Sequence, residues 1–369
     1  MNSQVEKSFR VFYAPLDWGL GHATRSYPII QLLIHHGVEV HLGGNGLSLK
    51  FLQDSFPQLP VCELPGYDVR YGKGRRQAWT LIRQFNRVRK VISQEHRVTR
   101  DYIEANEIHA TISDHRFGVW SSKLPSVVIA HQLSLRLPGG FAWARRMVDW
   151  LHARYLSPFD QLWVPDIVPP NGLAGELVSD FTYRKPDVYL GPLSRFDRKK
   201  VPENTPQRIP LALLSGPEPQ RTILETTLIQ QAVNHDIPLK IIQGLPDKPF
   251  EQFHEGPVQV LSFLGGERLA REIQQASVII SRAGYSSLMD FAALGTSGLL
   301  LVPTPGQTEQ EYLANRLAAL GAAHSRSQHR LDLVRDLPLA RSSTGFIGGE
   351  SQSVDLEAII QRWIAQYKE

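Results

Sequence analysis

The chain has 369 residues, 42% hydrophobic and 21% charged, with 40 Lys and Arg against 36 Asp and Glu and a net charge of +4. This balance excludes a disordered polyelectrolyte and a histone-like chain, and the length exceeds the roughly 250–300 residues at which one core stops growing, so two domains are expected. The basicity is local, because residues 70–100 hold ten Lys and Arg and one acid, Glu95. The lone cysteine, Cys62, cannot form an intrachain disulfide, and residues 1–10 lack the apolar core of a signal peptide. A cytoplasmic location is therefore expected. No run approaches the roughly 18 apolar residues of a membrane span, which leaves peripheral contact at the inner face as the expected membrane role.

In chain order, the runs at 9–15, 38–44, 109–114, 126–132 and 161–165 read as buried strands, with helical spacing or length at 23–36, 77–105 and 141–155. A second series has strands at 209–216, 238–244, 277–281 and 297–303 and helices near 218–235, 284–294 and 308–320. Such alternation predicts parallel, doubly wound sheets. Gly191, Pro192, Pro202, Pro206 and Pro210 have linker chemistry. We expect an N-terminal domain over 1–191, a C-terminal domain over 192–350, and a last helix within 351–369 that packs back across the cleft. In open α/β sheets ligands bind beyond the carboxyl ends of the strands, so two facing Rossmann-like domains would put a site in the cleft between them.

The first strand runs into Asp17-Trp18-Gly19-Leu20-Gly21-His22-Ala23-Thr24-Arg25. A dinucleotide fingerprint would need a third glycine where Thr24 stands and an acid where the second strand ends in Gly43-Gly44-Asn45. His22 is left at a helix mouth, either as a proton acceptor for a hydroxyl at neutral pH or as a backbone-bonded capping histidine. In the second domain, Ser281-Arg282-Ala283-Gly284-Tyr285-Ser286 opens a helix that contains Asp290. Free N–H groups and the helix dipole there suit a phosphate, and ordinary capping would look the same. Ser215, Gly216 and Arg221 follow another strand, and Gln307, Gln310 and Glu311 begin a later helix with groups suited to sugar hydroxyls.

Together these features resemble GT-B glycosyltransferases of family 28. The family's glycine-rich loop ending in His is matched by Gly19-Leu20-Gly21-His22, and its C-terminal core by Ser281-Arg282-Ala283-Gly284, Asp290, Leu299 to Pro303, and Gln307 through Gln310-Glu311. The resemblance implies that Ser281, Gly284, Tyr285 and Ser286 surround the donor diphosphate and base. Asp290 would hold the ribose, Gln310 and Glu311 the transferred sugar, and His22 would face the acceptor.

The expected activity is inverting, metal-independent transfer of a hexosyl group from a nucleotide-sugar co-substrate, UDP-linked, to an unknown hydroxyl acceptor. His22 would act as base, oriented by Asp114, with Arg282 or Arg221 on the leaving diphosphate. Asp17, Gly19, Gly21, Arg25, Arg116 and His131 would line the acceptor side. Gly19 to Arg25 also resembles the loop of a UDP-sugar hydrolase, in which water replaces the acceptor. Residues 70–100 carry few aromatics and no recognisable RNA- or DNA-binding module, which argues against nucleic acid. An apolar stripe from Trp79 to Ile92 beside Arg83, Arg87, Arg89 and Lys90 suits either an anionic membrane surface or packing on the sheet, and Trp143, Arg145, Arg146, Trp150 and Arg154 could extend that face. Residues 1–190 carry +5 and 191–369 carry −1, which favours an anionic or lipid-linked acceptor.

Overall fold

The computed structural model describes residues 8–67, 77–134, 143, 145–170, 172–196, 209–346 and 354–368, with 77–86 described by their backbone alone. Arg70, Lys73, Arg75, Arg76, Phe141 and the side chains of Trp79, Arg83 and Phe85 lie outside the described residues. The chain divides into two compact units, Met1–Leu193 with Val354–Glu369, and Ser194–Ser353.

The first unit begins with β1 (Arg10–Pro15), α1 (Leu20–His35), β2 (Glu39–Gly44), α2 (Gly46–Ser55), β3 (Val61–Glu63) and α3 (Gln77–Asn106). It continues with β4 (Ala110–Asp114), β5 (Ser126–Ile129), α4 (Arg145–Leu156), β6 (Gln161–Val164), α5 (Glu176–Ser179) and β7 (Val188–Tyr189). The sheet order is β3-β2-β1-β4-β5-β6-β7, all parallel. Strands that are buried on both faces need no polar alternation, which is why β5 and β6 read as largely apolar runs. Successive crossovers leave β1 in opposite directions, toward β2 and toward β4, so the loops beyond β1 and β4 flank the switch point where ligands bind.

In α3, Val91, Glu95, Thr99 and Ile103 are buried at four-residue spacing, and Val88 and Ile92 pack with Leu16 and Tyr67. The apolar stripe of this helix thus serves the core from residue 88 onward, while Arg87, Arg89 and Lys90 are exposed. The lone acid of the basic segment is also structural. Glu95 accepts from Arg116 Nη1 at 2.7 Å through Oε1, and from Tyr67 Oη at 2.8 Å and the Gly118 amide at 2.7 Å through Oε2. A Cβ at Gly118 would lie 2.6 Å from the Ile92 carbonyl, so this close approach requires glycine.

The second unit contains β8 (Leu211–Leu213), α6 (Gln220–Asn234), β9 (Leu239–Ile242), β10 (Gln252–Glu255), β11 (Val258–Leu261), α7 (Gly266–Gln275) and β12 (Ile279–Ser281). These are followed by α8 (Tyr285–Leu294), β13 (Leu299–Leu301), α9 (Thr308–Ala319), β14 (His324–Ser325) and α10 (Leu333–Arg341). The sheet order is β10-β11-β9-β8-β12-β13-β14, parallel except for the β10–β11 hairpin. Its switch point lies between β8 and β12. The chain then contributes α11 (Leu356–Tyr367) to the first unit. There Trp363 packs 6.0 Å from Phe9 and 5.7 Å from Trp163, centroid to centroid, and His36 Nε2 lies 3.2 Å from Glu357 Oε1.

Removing an indole from such a buried contact costs about 3–5 kcal/mol. Trp363→Ala is expected to lower the urea midpoint of the first unit, followed by tryptophan fluorescence. An unchanged midpoint would mean that α11 contributes no packing energy.

Candidate functional site

At the switch point of the first sheet, β1 pairs with β4 so that Pro15 lies beside Asp114, and the Leu16 amide donates to the Asp114 carbonyl at 2.9 Å. Gly19 (φ 79°) then turns the chain into α1 from a left-handed conformation that disfavours any side chain. The helix begins at Leu20, so Gly21 is a helical residue and not part of the turn, and His22 sits in the first turn opposite Asp114. His22 Nδ1 is 3.1 Å from Asp114 Oδ1. These two expected partners are brought together.

A third group joins them. Arg25, one helical turn after His22, donates from Nε to Asp114 Oδ2 at 2.6 Å and from Nη2 to Asp114 Oδ1. Its Nη2 is also 2.7 Å from His22 Nδ1, and its Nη1 is 3.0 Å from His131 Nδ1. His115, held at φ 59°, places Nδ1 3.3 Å from Arg25 Nη2 and 3.5 Å from Asp114 Oδ1. Arg25 is therefore not an acceptor-facing group, since its guanidinium is buried on Asp114. His22, Asp114 and His115 are spaced as metal ligands could be, but the guanidinium already supplies the positive charge at that point.

The electrostatics follow from burial. Burial, then the Arg25 charge, drive the His22 imidazole down to about 3, against the opposing pull of Asp114. His115 is lowered mainly by burial, as is His152, to about 4. Burial works against ionisation of Asp114, but the charge of Arg25, with the rings of His22 and His115 beside it, holds its carboxyl well below the usual range.

Two other residues expected on the acceptor side are structural. Asp17 accepts from the Ser48 amide at 3.0 Å and so holds the start of α2. Arg116 is fully buried, donating to Glu95, to the Pro15 carbonyl at 2.7 Å and to the Pro65 carbonyl at 3.2 Å, with Asn45 Oδ1 as a further acceptor.

In the second unit, the loops after β8, β12 and β13 meet at one end of the sheet. Arg282 explains how. Its Nη1 donates to the Val302 carbonyl at 3.0 Å and its Nη2 to the Gln220 carbonyl at 2.7 Å, tying the β12 loop to the β13 loop and to the start of α6. It is 1% exposed, and burial lowers it to about 10. Arg221 is likewise occupied, with Glu218 Oε1 at 2.7 Å and Glu225 Oε2 at 2.8 Å. Both arginines expected to face a diphosphate are therefore used internally. The anion-binding capacity left at this point is the start of α8, where Gly284 caps the helix without a side chain and Ser281 ends the strand below it. The N–H groups at a helix start point along its axis and, with the helix dipole, suit an anion.

Asp290, on α8, accepts from Ser194 Oγ at 2.6 Å, and burial pushes it up to about 6 against the nearby charge of Arg195. Gln310 Oε1 accepts from the Thr304 amide at 2.8 Å and Glu311 Oε1 from the Gly306 amide at 3.0 Å, so each shapes the loop that Gln307 closes at the start of α9. Ser215 and Gly216 lie in an exposed loop, and a Cβ at Gly216 would be 3.8 Å from Thr304 Oγ1. Sequence reasoning missed His115, Ser194 and Arg195. None carries a local signal, because contacts across the fold create their roles.

The depressed histidines have a thermodynamic consequence. Their folded values lie below the unfolded value of about 6.5, so their contribution to stability is complete above that pH and is lost as pH falls toward the folded values. The first unit is expected to bind protons on unfolding between about pH 6.5 and 4, with a urea midpoint that drops over this window. A flat midpoint there would contradict the burial of these rings in neutral form.

The glycosyltransferase family 28 C-terminal domain matches residues 239–338. No curated protein matches the chain. Among solved structures, it is similar to the glycosyltransferase SnogD from Streptomyces nogalater, at 16% identity and a TM-score of 0.62 over 98% of this chain and 100% of that one. It is also similar to Acinetobacter baumannii MurG, at 15% identity and a TM-score of 0.57 over 97% and 99% of the two chains. A third likeness is to the glycosyltransferase VinC in complex with dTDP, at 14% identity and a TM-score of 0.54 over 97% and 95%. With a GT-B fold along its length and a family 28 C-terminal domain, the chain is a glycosyltransferase that resembles family 28.

Proposed function

We propose that the protein transfers a hexosyl group from a UDP-linked donor to a hydroxyl acceptor, with inversion. The observation that carries this reading is the pairing of His22 with Asp114 at the switch point of the first sheet. His22 Nε2 takes the acceptor proton while Asp114 accepts from Nδ1–H. The acceptor oxygen bonds to the anomeric carbon as the bond to the donor phosphate breaks. The negative charge on the departing diphosphate falls on the N–H groups at the start of α8, in keeping with the favourable dipole there. Asp290 receives the ribose hydroxyls as a carboxylate, and Gln310 and Glu311 the transferred sugar. No divalent cation takes part in this scheme.

His22→Ala is expected to lower kcat by about 10²–10⁴-fold, with UDP affinity nearly unchanged by calorimetry. Equal loss of both would make His22 structural. UDP affinity should weaken as pH falls below about 6, where Asp290 gains its proton, and activity should survive EDTA. Free sugar released rapidly from UDP-sugars without acceptor would identify a hydrolase instead.

The acceptor reading is lipid-linked, at an anionic membrane surface. What supports it is exposed Trp143, ahead of α4, with Met147 and Trp150 on α4, which are 78%, 62% and 55% exposed, beside exposed Arg146 and Arg154. Arg145 is turned away, donating to Ser134 and to Asp180. Among the described residues no helix is long and apolar enough to cross a membrane. The protein is expected to cosediment with phosphatidylglycerol vesicles in a salt-sensitive manner, and Trp143→Ser with Trp150→Ser should abolish this. Binding by the double variant as strong as that of the original would refute it.

A further inference from the structure

His22 Nδ1 has two neighbours that make opposite demands. Asp114 Oδ1, at 3.1 Å, can only accept, so it needs a proton on Nδ1. Arg25 Nη2, at 2.7 Å, can only donate, so it needs a bare Nδ1. One ring nitrogen cannot satisfy both. If Arg25 is served, the neutral ring carries its proton on Nε2 and presents a donor to whatever approaches. If Asp114 is served, Nε2 is bare and can take a proton, but Nδ1–H then faces an N–H of Arg25.

Asp114 has little need of His22. Arg25 already engages both of its oxygens, from Nε at 2.6 Å and from Nη2. The same guanidinium lies 3.0 Å from His131 Nδ1 and 3.3 Å from His115 Nδ1, which likewise suits bare nitrogens. Among the described residues, the charged and titratable groups at His22 and its Arg25–Asp114 pair are Arg25 on α1, Tyr13 on β1, Asp114 and His115 at the end of β4, and His131 beyond β5. Of these, Arg25 alone is a permanent cation.

We propose that Arg25 is a positioning residue that selects the tautomer of His22, holding its proton on Nε2 in the ligand-free protein, so that the base-competent form requires Arg25 to release Nδ1. The role of His22 as base rests on the function proposed above, whereas the tautomer itself does not. A pair that held His22 ready as base would need a single acceptor at Nδ1. Here the cation that neutralises Asp114 also competes for that nitrogen.

Nitrogen-15 NMR of histidine-labelled protein at pH 7, with His22→Gln to assign the ring, reads the tautomer directly without substrate. The expected wild-type spectrum shows His22 protonated at Nε2. Arg25→Met is expected to move the proton to Nδ1 or to yield imidazolium, and to shift the acid limb of kcat/KM upward toward the ordinary imidazole value of about 6.5. Wild-type His22 protonated at Nδ1 would overturn the proposal, even if Arg25→Met fails to fold. So would a folded Arg25→Met protein with an unchanged tautomer. Failure to detect transferase activity would count against the proposed function and would leave the spectroscopic result intact.

Discussion

The first unit is organised around a buried ion pair, Arg25 with Asp114, 2% and 0% exposed in their side chains. Two charges taken from water cost several kcal/mol each in desolvation, and that cost is recovered only with near-ideal geometry and all polar atoms engaged. The bidentate contact supplies the geometry. Three histidines and the backbone of the β1 exit complete the shell, so the order of the whole mouth follows from keeping this pair satisfied. Breaking one partner would leave a buried charge uncompensated, which ordinarily costs about 3–5 kcal/mol.

The second unit solves a similar problem with different chemistry. Arg282 is also fully buried, but among the described residues it donates to backbone carbonyls, those of Val302 and Gln220. Carbonyl dipoles fix loop positions without neutralising charge, consistent with the lowering of its guanidinium to about 10. Arg116 mixes both strategies, with Glu95 on one side and the Pro15 and Pro65 carbonyls on the other. In each case an arginine that looks from the sequence like a ligand-facing cation is spent on holding loops at strand ends. The surfaces left for ligand are then backbone amides, hydroxyls and a few carboxylates. These bind by direction more than by net charge, and residues 191–369 carry a net charge of only −1.

The buried strands were legible because parallel sheets covered on both faces favour largely apolar runs, and β5, β6 and β13 show them. The pairing of His22 with Asp114 was legible too, since His22 follows β1 and Asp114 closes β4, strands that neighbour one another at a switch point. Shorter elements left weaker traces. Strand β10 is exposed at all four residues, so Gln252 to Glu255 carry no apolar signal. Helices α2, α7 and α10 span only nine or ten residues each. The roles of Arg116, Arg221 and Arg282 could not be read, because composition reports charge while burial depends on contacts distant in sequence. Glu95 is the instructive exception: one acid among ten bases was visible as an oddity, and its partner, Arg116, lies in another element.

In the proposed function a nucleotide diphosphate binds at the start of α8 while proton transfer is organised separately around Arg25 and Asp114. Hydrogen–deuterium exchange of the intact protein with and without UDP tests this most directly. Added protection is expected of the amides at 284–288 and in the 304–307 loop, with no change at 20–25 or 114–116. Protection confined to the first unit, or none at α8 with UDP at saturation, would contradict it.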